Sequence, residues 1–439
     1  NNQLGKCSDF ALRSTTLMHA AAGDGFGLKG FLGPRTSLLS HQLYVASMVG
    51  KRFSPRVLLA DEVGLGKTIE AGLILNQQIL RQRVQRVLVL VPESLTHQWL
   101  LEMLRRFYLP FSLLDEARLK ESDPSTEFSE SPLVISPLTL FEANTEICEI
   151  VQSLDWDMVV IDEAHNLSDF TSPESDMGTF IRTLTQRSHG LLLLTAIPEQ
   201  AGLESHFQRL QLLDPARYND FNKFQEEQSQ FGEWSSLIEK IVSGERVKAP
   251  KGIDPDASNE DMIRQMLDRF GTGRVLYRNT RKVVSGFPRR HYNCVRLQIP
   301  PLYGNNAENL YPECLHPKAE WLEQDPRVLW VKELLKDLKP DKALLICANR
   351  DTAVALEHHL HLKEGIRCAA FHESLTLIER DRAAAYFAEE IGGAQVLICS
   401  EIGSEGRNFQ FVQHLICFDL PEHPDLLEQR IGRLDRIGQ

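Results

Sequence analysis

Residues 58–72 read LLADEVGLGKTIEAG, and this stretch decides the fold. An apolar run breaks at Asp61 into a turn carrying Gly64 and Gly66, and Lys67 and Thr68 then open a helix-forming segment. A strand, a glycine turn and a helix start aim successive backbone N–H groups and the positive helix end at one point, which makes an anion site. The phosphates of a nucleotide such as ATP fit there. Gly64 and Gly66 allow the backbone to approach closely, Lys67 reaches the β- and γ-phosphates, and the Thr68 hydroxyl can hold Mg²⁺. The pattern GxxxxGK[ST] is met except at its first glycine, where Asp61 stands. Asp61, Glu62, Val63, Gly64, Leu65 and Gly66 are thus the candidate cradle, and an ordinary strand-turn-helix is the alternative.

A second stretch, MVVIDEAH (158–165), sets Asp162 and Glu163 at the carboxyl end of an apolar strand, where open parallel sheets present their ligands. Two adjacent carboxylates there suit separate tasks. Asp162 would bind Mg²⁺, and Glu163 would orient and activate the attacking water. A solvated helix cap is the bland alternative, and the GKT turn upstream weighs against it. Hydrolysis also needs positive charge on the γ-phosphate in the transition state, commonly an arginine finger contributing ~10³–10⁵ in rate. LLEQRIGRLDRIGQ supplies Arg430, Arg433 and Arg436 at helical spacing, a pattern equally suited to a solvated face or a nucleic-acid contact.

At 439 residues the chain has room for two or three domains, and 42% hydrophobic residues can fill ordinary cores. No apolar run approaches the ~18 residues of a membrane span, and the NNQLGKCSDF start lacks a signal-peptide hydrophobic region, so the chain reads as cytoplasmic. Eight cysteines occur without a CxxC pair, and Cys347, Cys399 and Cys417 sit inside apolar runs, so neither a disulfide framework nor a zinc site is expected. A formal net charge of −12 means that any nucleic acid must be held by a local basic surface.

Apolar runs bounded by turn residues recur at VLLA (57–60), VLVLV (87–91), LVIS (133–136), MVVID (158–162) and LLLLT (191–195). Helix-patterned segments lie between most of them. The theme returns at ALLIC (343–347), CAAF (368–371), VLIC (396–399) and LICF (415–418). Runs this apolar are strands covered on both faces, so the expected fold class is α/β: two tandem P-loop-type domains with parallel sheets plus a mainly helical insertion. The expected division is a lead-in at 1–34, an ATP-binding domain at 35–200, a helical insertion and brace at 201–299, a connector at 300–326, and a second domain from 327 to 439 that continues beyond RLDRIGQ.

DEVGLGKT, DEAH, LLLTAIP, SEIGSEGRNFQ and QRIGRLDRIGQ follow one another in the order of helicase superfamily two, and RLDRIGQ resembles its Swi/Snf group. ESHFQRLQLLDPARYNDF, IERDRAAAYFAEE and GAQVLICSEIGSEGRNFQF resemble a bacterial branch of that group associated with RNA polymerase. The likeness runs from about Arg35 onward. It implies two RecA-like domains that bind ATP between them and walk along double-stranded DNA without parting its strands, with RNA as the alternative track. It also implies the RNA polymerase core as partner, recycled after transcription, and a place at the bacterial nucleoid. By the same resemblance Gln42 contacts adenine, Arg433 and Arg436 occupy the two finger positions, and Arg430 is the weaker candidate. PESLTHQW (92–99), ISPL (135–138), ANRD (348–351) and SEIGSEGRN (400–408) match DNA-facing motifs. YRNTRKVVSGFPRRH (277–291) resembles a connector bracing the two domains; its Arg278, Arg281, Lys282, Arg289 and Arg290 suit phosphate contact or a solvated linker equally.

Three departures stand out. Ile197 replaces the hydroxyl residue of the third motif, the amino- and carboxyl-terminal regions of full-length relatives are missing, and the 300–326 connector is short. Two rivals to the motor reading remain: a strand-separating DEAH helicase, and a nucleotide-gated module that binds polymerase.

Overall fold

The computed structural model describes residues 6–25, 30–31, 33–37, 39–168, 175–196, 202–242, 258–259, 262, 274–282, 284, 286–306, 309–316, 318–401, 409 and 411–435. The chain forms two compact units, one of residues 1–62 and 66–280, the other of residues 63–65 and 281–439.

The first unit is built on β1 (Arg56–Leu59), β2 (Val87–Val91), β3 (Ser112–Leu113), β4 (Leu133–Pro137), β5 (Met158–Ile161), β6 (Gly190–Leu194) and β7 (Leu276–Tyr277). Their order is β3-β4-β2-β5-β6-β1-β7, and every pairing is parallel. Alternate residues of one strand enter different cores. Leu58, Leu88, Leu90, Val159, Ile161, Leu191 and Leu193 join one cluster, while Val57, Leu59, Val87, Val89, Val160, Leu192 and Leu194 join the other. That division is why the strands read as unbroken apolar runs: both faces are dry, and the two-residue period has no polar side to show.

Helices cover both faces. Thr96–Phe107 buries Trp99, Met103 and Phe107, spaced four residues apart along one stripe. Gly202–Leu213 sends Phe207, Leu210 and Leu213 into the first cluster with Tyr218 and Phe224. Among the described residues the 201–299 region thus includes helices Gly202–Leu213 and Phe221–Val242, and it also supplies β7 to the sheet edge. In the lead-in, Cys7–Gly25 is a helix whose described side chains are mostly exposed.

The second unit carries β8 (Ala343–Ile346), β9 (Cys368–Phe371), β10 (Val396–Cys399) and β11 (His414–Cys417) in the parallel order β11-β8-β10-β9. The same alternation divides Ala343, Leu345, Val396 and Ile398 from Leu344, Ile346, Leu397 and Cys399. Every apolar run singled out in the sequence is a strand. The two-residue edge strands β3 and β7 are additions, too short to show a period.

Candidate nucleotide site

The loop after β1 is a left-handed turn running into a helix. Gly64 and Gly66 hold φ of 87° and 88°, conformations that side-chain-bearing residues rarely adopt, and helix Lys67–Leu80 starts directly behind Gly66. A Cβ on Gly66 would lie 2.5 Å from Gln42 Nε2, so the glycine also makes room for Gln42, which is buried in helix Ser40–Gly50. Lys67 Nζ donates to the Asp61 carbonyl at 3.0 Å.

Asp61, at the missing-glycine position, is fully buried. Its carboxylate accepts the Asn279 backbone N–H at 2.7 Å and Asn279 Nδ2 at 2.9 and 3.1 Å. Burial nevertheless pushes its pKa up. Glu70, on the first turn of the helix, is also fully buried, and no donor reaches either carboxyl oxygen among the described residues. Burial, and then the charge of Asp61, hold its pKa well above the carboxylate range. His41 completes a trio whose ligand-type atoms lie within 4.8 Å of one another. Within that trio both Asp61 oxygens accept hydrogen bonds from Asn279.

The Asp-Glu pair after β5 has different surroundings. Trp99 Nε1 donates to Asp162 Oδ2 at 2.7 Å, and the Glu163 N–H donates to Oδ1 at 2.8 Å. Burial and then the neighbouring Glu163 raise the Asp162 pKa, while Lys67 works against them through its charge. A divalent cation would relieve such a disfavoured buried charge, which makes the Asp162 carboxylate a fitting ligand for one. Glu163 stands at φ 48°, a strained setting of the kind that clusters at functional sites. His165 Nδ1 lies 3.2 Å from Glu163 Oε2 and 3.3 Å from the buried Thr195 hydroxyl.

The DNA-facing assignments are redrawn in part. All of ISPL is buried, and the Ser136 hydroxyl donates to the Leu114 carbonyl at 2.7 Å, so its side chains are packed inside the first unit. Trp99, at the end of PESLTHQW, faces inward to Asp162. In ANRD, Arg350 is occupied by Asp351 and the Ser374 hydroxyl, at the edge of a cavity also lined by Glu313 and Glu373. That much negative charge opposes phosphate. Within the second unit Arg281 pairs with Asp435 and stacks on Phe287, and Arg290 bonds Glu428 and Asp435. These two arginines of the basic stretch are engaged in ion pairs, Arg281 half-buried and Arg290 exposed.

Arg430 is buried, its guanidinium held by Asp419 and Glu401. Arg433 is partly exposed; Arg436, Ile197 and residues 402–408 of SEIGSEGRN lie outside the described residues. The partners that sequence reasoning missed are Trp99, His165, Thr195, Glu70 and Asn279. Only His165 carried a local signal, its place two residues after Glu163; Asn279 and Asp61 are 218 residues apart.

A glycine-turned loop behind a parallel strand, with lysine and threonine opening the next helix and an acidic pair ending a nearby strand, defines a P-loop nucleotide-binding fold. Residues 44–316 match the SNF2-related domain and 327–438 the helicase conserved C-terminal domain, and the chain belongs to the SNF2-related family. It is 45% identical to the RNA polymerase-associated protein RapA of Photobacterium profundum and 46% to that of Actinobacillus pleuropneumoniae serotype 3, each alignment covering 100% of this chain and 50% of the relative. The chain thus spans about half the length of these relatives. Among solved structures it is similar to the Sulfolobus solfataricus SWI2/SNF2 ATPase core in complex with dsDNA, at 17% identity and TM-score 0.45 over 92% of this chain and 87% of that one.

Proposed function

We propose that the chain is the ATP-hydrolysing motor of a double-stranded DNA translocase that associates with RNA polymerase and promotes its recycling. The observation carrying this reading is that Lys67 opens a helix directly behind the left-handed Gly66, while the buried Asp162 carboxylate at the end of β5 feels the Lys67 charge. Lys67 exchanges the Asp61 carbonyl for phosphate oxygens, and the loop N–H groups take the remaining charge. Mg²⁺, held by Thr68 and Asp162, supplies neutralisation of the phosphate charge. Glu163 accepts a proton from the attacking water, its carboxylate oriented by His165. Gln42 reads adenine, and Arg433 and Arg436 serve as the fingers, roles resting on the motif resemblance. The division at 35–200, 201–299, 300–326 and 327–439 accompanies this reading.

Association with RNA polymerase is supported by the relatives' names, and a duplex track by the motif order. Contacts with backbone phosphates would make binding insensitive to sequence and sensitive to salt. The chain then works in the cytoplasm, at the nucleoid; among the described residues no helix is long and apolar enough to cross a membrane. The test is ATP turnover measured in parallel without nucleic acid, with single strands, with duplex DNA and with RNA polymerase, alongside a strand-release assay. Stimulation by duplex DNA or polymerase without strand release supports the motor. Turnover indifferent to all of them removes it, and release of a strand would favour a helicase.

A further inference from the structure

The backbone leading into the nucleotide loop is zipped to a distant segment. The N–H groups of Leu58, Ala60 and Glu62 donate to the carbonyls of Val275, Tyr277 and Asn279 at 2.6, 2.7 and 3.2 Å, so the ladder begun by β1 and β7 continues three residues past β1 and two past β7, into the loop itself. Asn279 closes the clasp from the other side, with its backbone N–H and its side-chain amide both on Asp61. The Asp61 carbonyl in turn holds Lys67. Upstream, Arg52 fastens the same segment, through Nη2 to the Tyr277 hydroxyl at 2.6 Å and Nη1 to the Arg274 carbonyl at 2.6 Å.

We infer that Asn279 is a positioning residue of the nucleotide site: by clasping Asp61 it fixes the start of the loop and hence where Lys67 meets phosphate. The inference rests on the ATP-site reading above. A loop beginning with glycine is held by its own turn, whereas one beginning with a buried carboxylate needs donors for that charge wherever the chain can bring them. Asn279 brings two, its backbone N–H and its amide. Donors to a buried charge are worth more than neutral ones, and removing them leaves the charge to reorient the backbone that carries it. Misplacement on the order of 1 Å at a reacting group is enough to cost ~10²-fold in rate.

The experiment compares steady-state ATP hydrolysis and binding of a fluorescent ADP analogue in the wild-type chain, Asn279→Ala, Asn279→Asp, Asp61→Asn and the reciprocal double variant Asp61→Asn/Asn279→Asp, with thermal melting followed in each. Asn279→Ala is expected to lower kcat/KM by ~10- to 100-fold, the loss appearing in kcat as well as KM. Asn279→Asp, facing Asp61 with a like charge, should do worse. The double variant restores an amide-carboxylate pair in reverse and should recover most of the loss. Asn279→Ala within twofold of wild type, a lowered melting point with unchanged kcat/KM, or a double variant no better than Asn279→Asp would each overturn the inference. Lys67→Ala is measured beside them: if it hydrolyses ATP as the wild type does, the site reading itself falls, whatever Asn279 does.

Discussion

Two acidic pairs flank the lysine of the nucleotide loop, and they are opposites. Asp61 and Glu70 are both fully buried, Asp61 is bound by Asn279, and burial together with the Asp61 charge pushes the Glu70 pKa up. Asp162 and Glu163 are adjacent in sequence; Trp99 and the Glu163 N–H donate to the Asp162 carboxylate, and His165 lies beside that of Glu163. Glu163 stands on strained backbone beside His165, partly exposed. The two acidic pairs therefore differ in setting: a pair sealed from solvent is architecture, and one that ends a strand with a partly exposed member is available for chemistry.

The strongest way to test that rule is to apply it elsewhere. In the second unit Asp419 and Glu401 spend themselves on Arg430, an ion pair whose two central side chains, Arg430 and Asp419, are 0% exposed. Arg430→Ala strands the buried Asp419 charge and should cost ~3–5 kcal/mol of stability, read as a fall in the denaturation midpoint of the second unit. If Arg430→Ala instead left the fold intact and abolished hydrolysis, Arg430 would belong with the chemistry.

Trp99→Phe sharpens the other side of the comparison. It keeps the ring packed and removes the donor to Asp162, a hydrogen bond to a charged group worth ~1.5–3 kcal/mol, or roughly tenfold to a hundredfold in affinity. The loss should appear as weaker Mg²⁺-dependent nucleotide binding in a titration of metal at fixed nucleotide, with little change in melting temperature.

The smallest effect is expected at Glu70. A glutamine there keeps the shape of the side chain and buries no charge beside Asp61, so Glu70→Gln should change stability by less than ~1 kcal/mol in urea unfolding. A larger loss would mean that Glu70 carries a charge the protein needs.

How far the sequence went follows from the range of its signals. The strands were legible because burial on both faces leaves an unbroken apolar run, and the loop because Gly64, Gly66, Lys67 and Thr68 are adjacent. β7 was not, since two residues have no period and Leu276–Tyr277 pairs only by reaching β1 from more than two hundred residues away. The roles of Trp99 and Asn279 were hidden for the same reason. Sequence marks the acids of a site well and their donors poorly, because a donor need only be near in space. ISPL shows the converse: a stretch resembling a nucleic-acid motif is buried here, its hydroxyl spent on Leu114.

A side-by-side single-turnover measurement of ATP hydrolysis in Glu163→Gln and Glu70→Gln separates the two acidic pairs most directly. Glu163→Gln should lose ~10²–10⁴ in the chemical rate while still binding nucleotide, and Glu70→Gln should stay within about threefold of wild type. Equal losses in the two variants, or a larger one at Glu70, would contradict the assignment of one pair to chemistry and the other to architecture.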